Sequence, residues 1–194
     1  MELNACKRCR RARVKLFLKG ERCLSPKCSV TLRNYPPGQK ASRPKKISEY
    51  GLQLLEKQKI KATYGIRERQ LSFYYKKASK FKQLKGEKLL QILEMRLDNV
   101  IYRCGFTSSR ASARQLILHG HVKINNKKVD LPSYQAKPKD KIEISLKIQP
   151  LKIELPSWLK RNVKALTANV INVPERKEIA TDVDELKILE FYAR

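Results

Sequence analysis

The sequence predicts an α+β protein: an N-terminal four-cysteine metal knuckle, a mostly helical domain, and an inserted module of two helices packed on a small antiparallel sheet. Three observations lead there. Residues 96–146 change their apolar period from 3.6 to 2 within one short stretch. Four of the five cysteines crowd into the first 28 positions. The 194 residues carry 44 basic against 18 acidic side chains, a formal charge of +26.

The module is the most legible part. Leu97, Val100, Ile101 and Cys104 recur at near-helical spacing until Gly105 stops them. The next helix is expected to be capped by Thr107 and to end before Gly120. Ala113, Leu116 and Ile117 line one face of it, while Arg110 and Arg114, four apart, share another. Val122 and Ile124 then alternate with His121 and Lys123. Asn125-Asn126 suits the positive backbone angles of a tight hairpin, from which Lys127-Lys128-Val129 returns. Ile142, Ile144 and Leu146 give a third alternating strand. Guanidinium and ammonium groups on the outside would form one cationic surface suited to phosphate oxygens. A solvated basic face without a partner is the plainer alternative. Repetition over two helices and a hairpin, in a chain this basic, favours nucleic acid.

Composition narrows the partners. The length suffices for one or two compact domains with a real core. So large a positive excess repels itself in a free monomer, and a polyanion would relieve it; an anionic membrane surface is the competitor. No apolar run approaches the roughly 18 residues that span a bilayer, and the N-terminus lacks an apolar signal region, so a soluble intracellular protein without membrane contact is expected. At 41% hydrophobic the chain is no disordered basic tail.

Cys6, Cys9, Cys23 and Cys28 have the form Cys-x2-Cys-x13-Cys-x4-Cys, two short pairs and a loop that together suit a tetrahedral four-thiolate site. Zinc is the first choice, because closed four-cysteine sites without redox duty usually hold it. An iron–sulfur cluster also takes four thiolates. Two disulfides are the structural alternative, disfavoured in a reducing compartment. The knuckle would hold Arg10, Arg11, Arg13 and Arg22 against phosphate, its folding energy supplied by the metal. Cys104 continues an apolar helix face and reads as a buried hydrophobe. His119 and His121 flank Gly120 with no further ligands near, so they read as surface or RNA-facing donors.

The proline-rich stretch from Tyr35 to Lys46 is either a free linker or an extended basic arm carrying Arg43, Lys45 and Lys46. Ser48 is expected to cap a helix to about Lys61 with Leu52 and Leu55 inward. A second helix, about 66–81, places Leu71, Tyr74, Tyr75, Ala78 and Phe81 on one side as core, base stacking being the lesser possibility. Glu87–Met95 makes a third. Further on, Trp158 anchors a loop, 169–173 reads as a strand, and Ile188–Tyr192 as a weak closing strand or helix end. The acidic run Asp182–Glu185 is expected to face the basic helices near residues 60–80 and so bring the C-terminus back to them.

These residues also carry a resemblance. Arg96-Leu97-Asp98-Asn99-Val100-Ile101-Tyr102-Arg103, Ser109–Leu116, His119–Asn125 and Val129–Tyr134 resemble the RNA-binding domain of the bacterial-type S-four family of small-subunit ribosomal proteins, a fold also called the alpha-L RNA-binding motif. Leu18–Cys23, Tyr35–Gln39, Ser48–Gly51, Glu56–Lys59, Tyr64–Gln70 and Glu190–Tyr192 follow the same family in order, so the likeness covers nearly the whole chain. The four-cysteine opening is similar to the family's metal-binding variant. The resemblance implies a domain at 93–173 inserted into a helical domain of 42–92 plus about 174–194, after a basic metal-binding arm of 1–41. It implies a non-enzymatic, cytoplasmic constituent of the small ribosomal subunit. Such a protein is a primary binder of small-subunit (16S) ribosomal RNA at a helix junction and nucleates 30S assembly. Neighbours would be ribosomal protein five and mRNA where the message enters, with Arg43 and Lys46 towards it; no homo-oligomer is expected. The residues assigned to RNA are Arg10, Arg11, Arg13, Arg22, Arg43, Lys45, Lys46, Arg67, Arg96, Arg103, Arg110, Arg114, His119, Lys123, Lys127, Lys128 and Tyr134. An RNA-modifying enzyme sharing the module is the rival; no cofactor loop or paired carboxylates support it. Replacing Arg110 and Arg114 by alanine is expected to weaken RNA binding and leave the melt nearly unchanged.

Overall fold

Ser48 does open a helix, and what that helix buries sets one half of the molecule. The computed structural model describes residues 4–38, 46–81 and 84–193, and divides the chain into two units, Met1–Ser72 with Asp182–Arg194, and Phe73–Thr181. In the first, helix α1 (Ala5–Ala12) is capped by the Asn4 side chain, which accepts from the Cys6 amide, and α2 (Ser29–Leu32) starts after Cys28. Cys9, Ala12, Leu16, Cys28 and Val30 form a small apolar cluster with Val14, Leu18 and Ala62 against it. The Ser48 hydroxyl accepts from the Gly51 amide at 3.2 Å to start α3 (Glu49–Tyr64), and Gly65, at φ +61°, ends it.

The expected inward residues of α3 are corrected. Leu52 and Leu55 are only half-buried, while Gln53, Glu56, Lys57, Ile60, Thr63 and Tyr64 are buried. The reason is the partner, α8 (Glu185–Ala193), which is a full helix where a weak strand or helix end was expected. Gln53 Nε2 donates to Glu190 Oε2 at 3.0 Å, the Asp184 amide donates to Glu56 Oε2 at 3.1 Å, and Lys57 Nζ sits 4.0 Å from the Phe191 ring centre. A polar face is thus buried because polar and aromatic groups meet it. The Asp184 carboxylate pairs with Lys187 of its own helix at 3.3 Å. The boundary between the units falls within α4 (Glu68–Ala78), where Leu71, Tyr74 and Ala78 are buried as expected but Phe81, beyond its end, is 51% exposed.

The second unit holds α5 (Lys85–Glu94), α6 (Leu97–Arg103), α7 (Arg110–Leu118) and a five-stranded antiparallel sheet in the order β2-β1-β3-β5-β4. Its strands are β1 (Val122–Ile124), β2 (Lys127–Lys128), β3 (Lys141–Ile144), β4 (Leu159–Asn162) and β5 (Thr167–Val170). Asn125 and Asn126, at φ +49° and +68°, make the hairpin turn their chemistry predicts. The cap of α7 is Ser109, whose hydroxyl accepts from the Ser112 amide at 3.2 Å; Thr107, expected there, instead donates to the Ser109 carbonyl. Leu97, Val100, Ile101, Cys104, Ala113, Ile117, Val122 and Ile142 form one core between helices and sheet, and Trp158 joins it. Burial pushes the Cys104 thiol up to about 12, against the opposing charge of Arg161, in keeping with a packing residue. Leu146 lies beyond β3 and is exposed; β4 was not anticipated, and β5 starts before the expected strand, leaving Ile171 and Val173 outside. Among the described residues no helix is long and apolar enough to cross a membrane.

Candidate nucleic-acid interface

Arg110 and Arg114 lie one turn apart on α7, each held by α6. Arg110 Nε donates to Asn99 Oδ1 at 2.7 Å, and its guanidinium stacks 4.4 Å from the Tyr102 ring centre. Arg114 Nη2 donates to Asp98 Oδ2 at 2.8 Å with 34% of its side chain exposed. Both are therefore half-buried, each with a fixed orientation. The exposed cations next to them come from the hairpin: Lys123, Lys127 and Lys128, with His119 exposed at the joint. Gly120 turns the chain here at φ +73°, a left-handed backbone that favours glycine, and the flexible end of the Lys128 side chain rests against it. Lys128 consequently lies across the end of α7, which joins hairpin and helix cations into one edge. The His119 and His121 rings stack with centres 6.3 Å apart.

Two arginines assigned to RNA are tied to buried carboxylates, Arg96 fully buried and Arg103 half-buried. Arg96 is 1% exposed; its Nε and Nη2 donate to the two oxygens of Asp98 at 3.0 and 2.6 Å, and Nη1 donates to the Tyr74 hydroxyl at 2.6 Å. Burial alone would lower its pKa, but Asp98 and Tyr74 more than offset that and hold it above the ordinary value. Arg103 donates through Nε and Nη2 to the 1%-exposed Glu94 carboxylate at 3.0 and 2.8 Å. Each saturates a buried carboxylate, which an isolated charge could not occupy. Tyr134 is half-buried against the core, and its carbonyl accepts from the Leu97 amide at 2.9 Å.

In the other unit, Arg11, Arg13, Arg22, Lys46 and Arg67 are exposed as expected. Arg10 is half-buried: its Nε and Nη2 donate to the carbonyls of Tyr35 and Pro36 at 3.0 and 3.3 Å, and it stacks on the Tyr35 ring. It fixes the start of the proline-rich stretch. Arg43 and Lys45 lie outside the described residues.

All four N-terminal cysteines are free thiols, three of them buried. Burial raises the Cys9 thiol, a Leu16 amide bond opposes this, and Cys23, Cys6 and Cys28 lie near enough to raise it further. The Lys19 amide donates to Cys23 Sγ at 3.3 Å. Against burial, amides of Val30 and Thr31 at the start of α2 lower the Cys28 thiol. The donor set is that of a four-thiolate site. Among the described residues, no three His, Cys, Asp or Glu side chains are gathered closely enough to hold an ion.

Sequence reasoning missed the groups that hold the arginines. Asn99, fully buried, donates to both the backbone and the side chain of Glu94 at 2.8 Å while accepting from Arg110. Asp98, 2% exposed, serves Arg96 and Arg114 together. The signal was the polar pair Asp98-Asn99 inside an otherwise apolar helical run. Arg161, on β4, was missed too; its Nη1 donates to the carbonyls of Cys104 and Leu151 at 2.6 and 3.0 Å.

A helix pair on a small sheet, edged with fixed guanidinium and mobile ammonium groups, defines a class of RNA-binding module. Residues 95–142 match the family model described as the S4 domain, and residues 3–94 that of the ribosomal protein S4/S9 N-terminal domain. The small ribosomal subunit protein uS4 of Thermodesulfovibrio yellowstonii is 46% identical over 202 residues, covering 98% of this chain and 97% of that protein. The uS4A protein of Clostridium acetobutylicum is 45% identical over 198 residues (97% and 96%), and uS4 of Clostridioides difficile 46% over 201 (98% and 97%). The chain belongs to the small ribosomal subunit protein uS4 family.

Proposed function

We propose that the chain is a structural, non-catalytic protein of the small ribosomal subunit in the cytoplasm, binding small-subunit ribosomal RNA at a helix junction and nucleating subunit assembly. The observation that carries this is the cationic edge of α7 and the β1–β2 hairpin, on a chain that matches uS4 proteins over nearly its whole length. RNA junctions are held mostly by shape and backbone, so affinity comes from phosphate neutralisation, with a log–log salt slope of about −0.7 to −0.9 per phosphate. Replacing Lys123, Lys127 and Lys128 together by alanine should shrink the slope by roughly two to three and leave the melt in place, because all three are exposed. Filter binding of a small-subunit rRNA transcript over a salt series checks this. A wild-type chain that ignores the transcript in dilute salt overturns the reading.

The finer assignments extend the same proposal. Ribosomal protein five is the neighbour within the subunit, and the basic arm with Lys46 lies towards incoming mRNA. Cys6, Cys9, Cys23 and Cys28 would close around zinc, with an iron–sulfur cluster as the alternative that takes the same donors; their spacing and the amide bond to the Cys23 sulfur support this. Elemental analysis of protein purified without oxygen should find about one zinc per chain. Metal-free protein with four titratable N-terminal thiols refutes it.

A further inference from the structure

Strands β4 and β5 lie beyond residue 142, where the S4 domain match ends, and the interface described above gives them no part. Their register sets Lys160 opposite Asn169 and Asn162 opposite Thr167. Strand β3 continues both rows, with Lys141 opposite Asn169 and Glu143 opposite Thr167. Because side chains alternate, these groups share the outer face, while Leu159, Ala168 and Val170 fill the core.

At the β4–β5 end this face dips into a concavity of about 440 Å³ lined by Lys160, Arg161, Asn162, Lys164, Thr167 and Asn169. Two ammonium groups, two amides, a hydroxyl and Val163 line it; Arg161 stands opposite Ala168, with its guanidinium turned to the Cys104 and Leu151 carbonyls, and no carboxylate is in the lining. Its walls are fixed. Asn162 Oδ1 accepts from the amides of Lys164 and Ala165 at 3.1 and 3.2 Å, and Leu166 turns the chain at φ +50°. Arg161 is pinned to the end of α6 through the Cys104 carbonyl. Lys160 and Lys164 are exposed, and no carboxylate among the described residues pairs with them. Exposed lysines alone signify little; a concave turn whose lining offers two ammonium groups and neutral donors, with the neighbouring Glu143 already paired to Lys141, suits a phosphodiester.

We propose that the β4–β5 hairpin is a second phosphate-binding site, which takes a stretch of RNA backbone separate from the one held at α7 and the β1–β2 hairpin. The proposal rests on the RNA-binding reading above. The sheet order puts β2 and β4 on opposite edges. With about 4.8 Å between neighbouring strands, those edges lie roughly 19 Å apart, so the two sites grip different segments of a folded RNA.

The test compares wild type with the pair Lys160→Ala/Lys164→Ala on a small-subunit rRNA transcript, by filter binding across a salt series and by hydroxyl-radical footprinting. The variant should lose about one to two units of salt slope and about tenfold in affinity per phosphate at 0.1 M salt. One patch of backbone protection should vanish while the patch lost in the Lys123/Lys127/Lys128 variant persists. Wild-type binding with an unchanged slope and footprint in the pair overturns the second site and leaves the first standing. Absence of wild-type binding overturns both. Should the alanine pair melt early, Lys160→Gln/Lys164→Gln carries the same comparison, and equal binding by that folded variant likewise ends the proposal.

Discussion

Asp98 shows how much can depend on one carboxylate. It is buried, it receives the internal Arg96 and the outward Arg114, and it lies in the first turn of α6, where the helix dipole also favours a negative charge. Removing it leaves Arg96 buried without its charge partner, and breaking such a pair costs roughly 3–5 kcal/mol. Asp98→Ala should therefore lower the urea midpoint severely; a variant as stable as wild type would show that the pair carries no such weight. The pair Arg110→Ala/Arg114→Ala belongs to the same account. From the sequence alone its melt should barely move. The contacts with Asn99 and Asp98 instead imply a loss of about 1–2 kcal/mol alongside the loss in RNA affinity, since hydrogen bonds to buried polar groups disappear. Residue type and period made Arg110 and Arg114 legible. They could not separate them from Arg96, because Arg96 and Arg114 share Asp98 and differ in how deeply the fold buries them.

At the level of elements, the hairpin and its joint to α7 were readable because their chemistry is local. Two asparagines set the turn and a glycine ends the helix. What the sequence could not show is that the end of the Lys128 side chain, eight positions later, rests against Gly120. Gly120→Ala should cost about 1 kcal/mol through left-handed strain, read as a lower denaturation midpoint, while RNA affinity holds because the flexible end of Lys128 swings aside. An unchanged midpoint would contradict this. Leu52 and Leu55 of α3 and the helical state of α8 were misread for the opposite reason. Each takes its character from the other, and α3 and α8 stand at distant positions in the chain. Strand β4 was hidden by its shortness instead: four residues are too few to show an alternation without β5 beside them.

For the whole molecule, that long-range pairing has a pH signature. Burial would raise the Glu68 carboxyl, but hydrogen bonds from Lys57, Tyr192 and Lys61 hold it below its usual 4.5. Asp184 is likewise held below 3.8, burial being outweighed by the amide and side chain of Lys187. A carboxylate with a depressed folded pKa contributes stability that is present above its ordinary value and fades as pH falls through the folded one. Amide-exchange protection of α3 and α8 should therefore weaken as pH drops from about 5 towards 3; constant protection would contradict the assignment. The pairing also bears on the chain's birth. Synthesis runs from the N-terminus, and domains generally fold as they emerge. The inserted unit, Phe73–Thr181, is synthesised before α8. A polypeptide truncated just short of Glu185 would keep every strand and helix of the inserted unit while Gln53, Glu56 and Lys57 lack their cover.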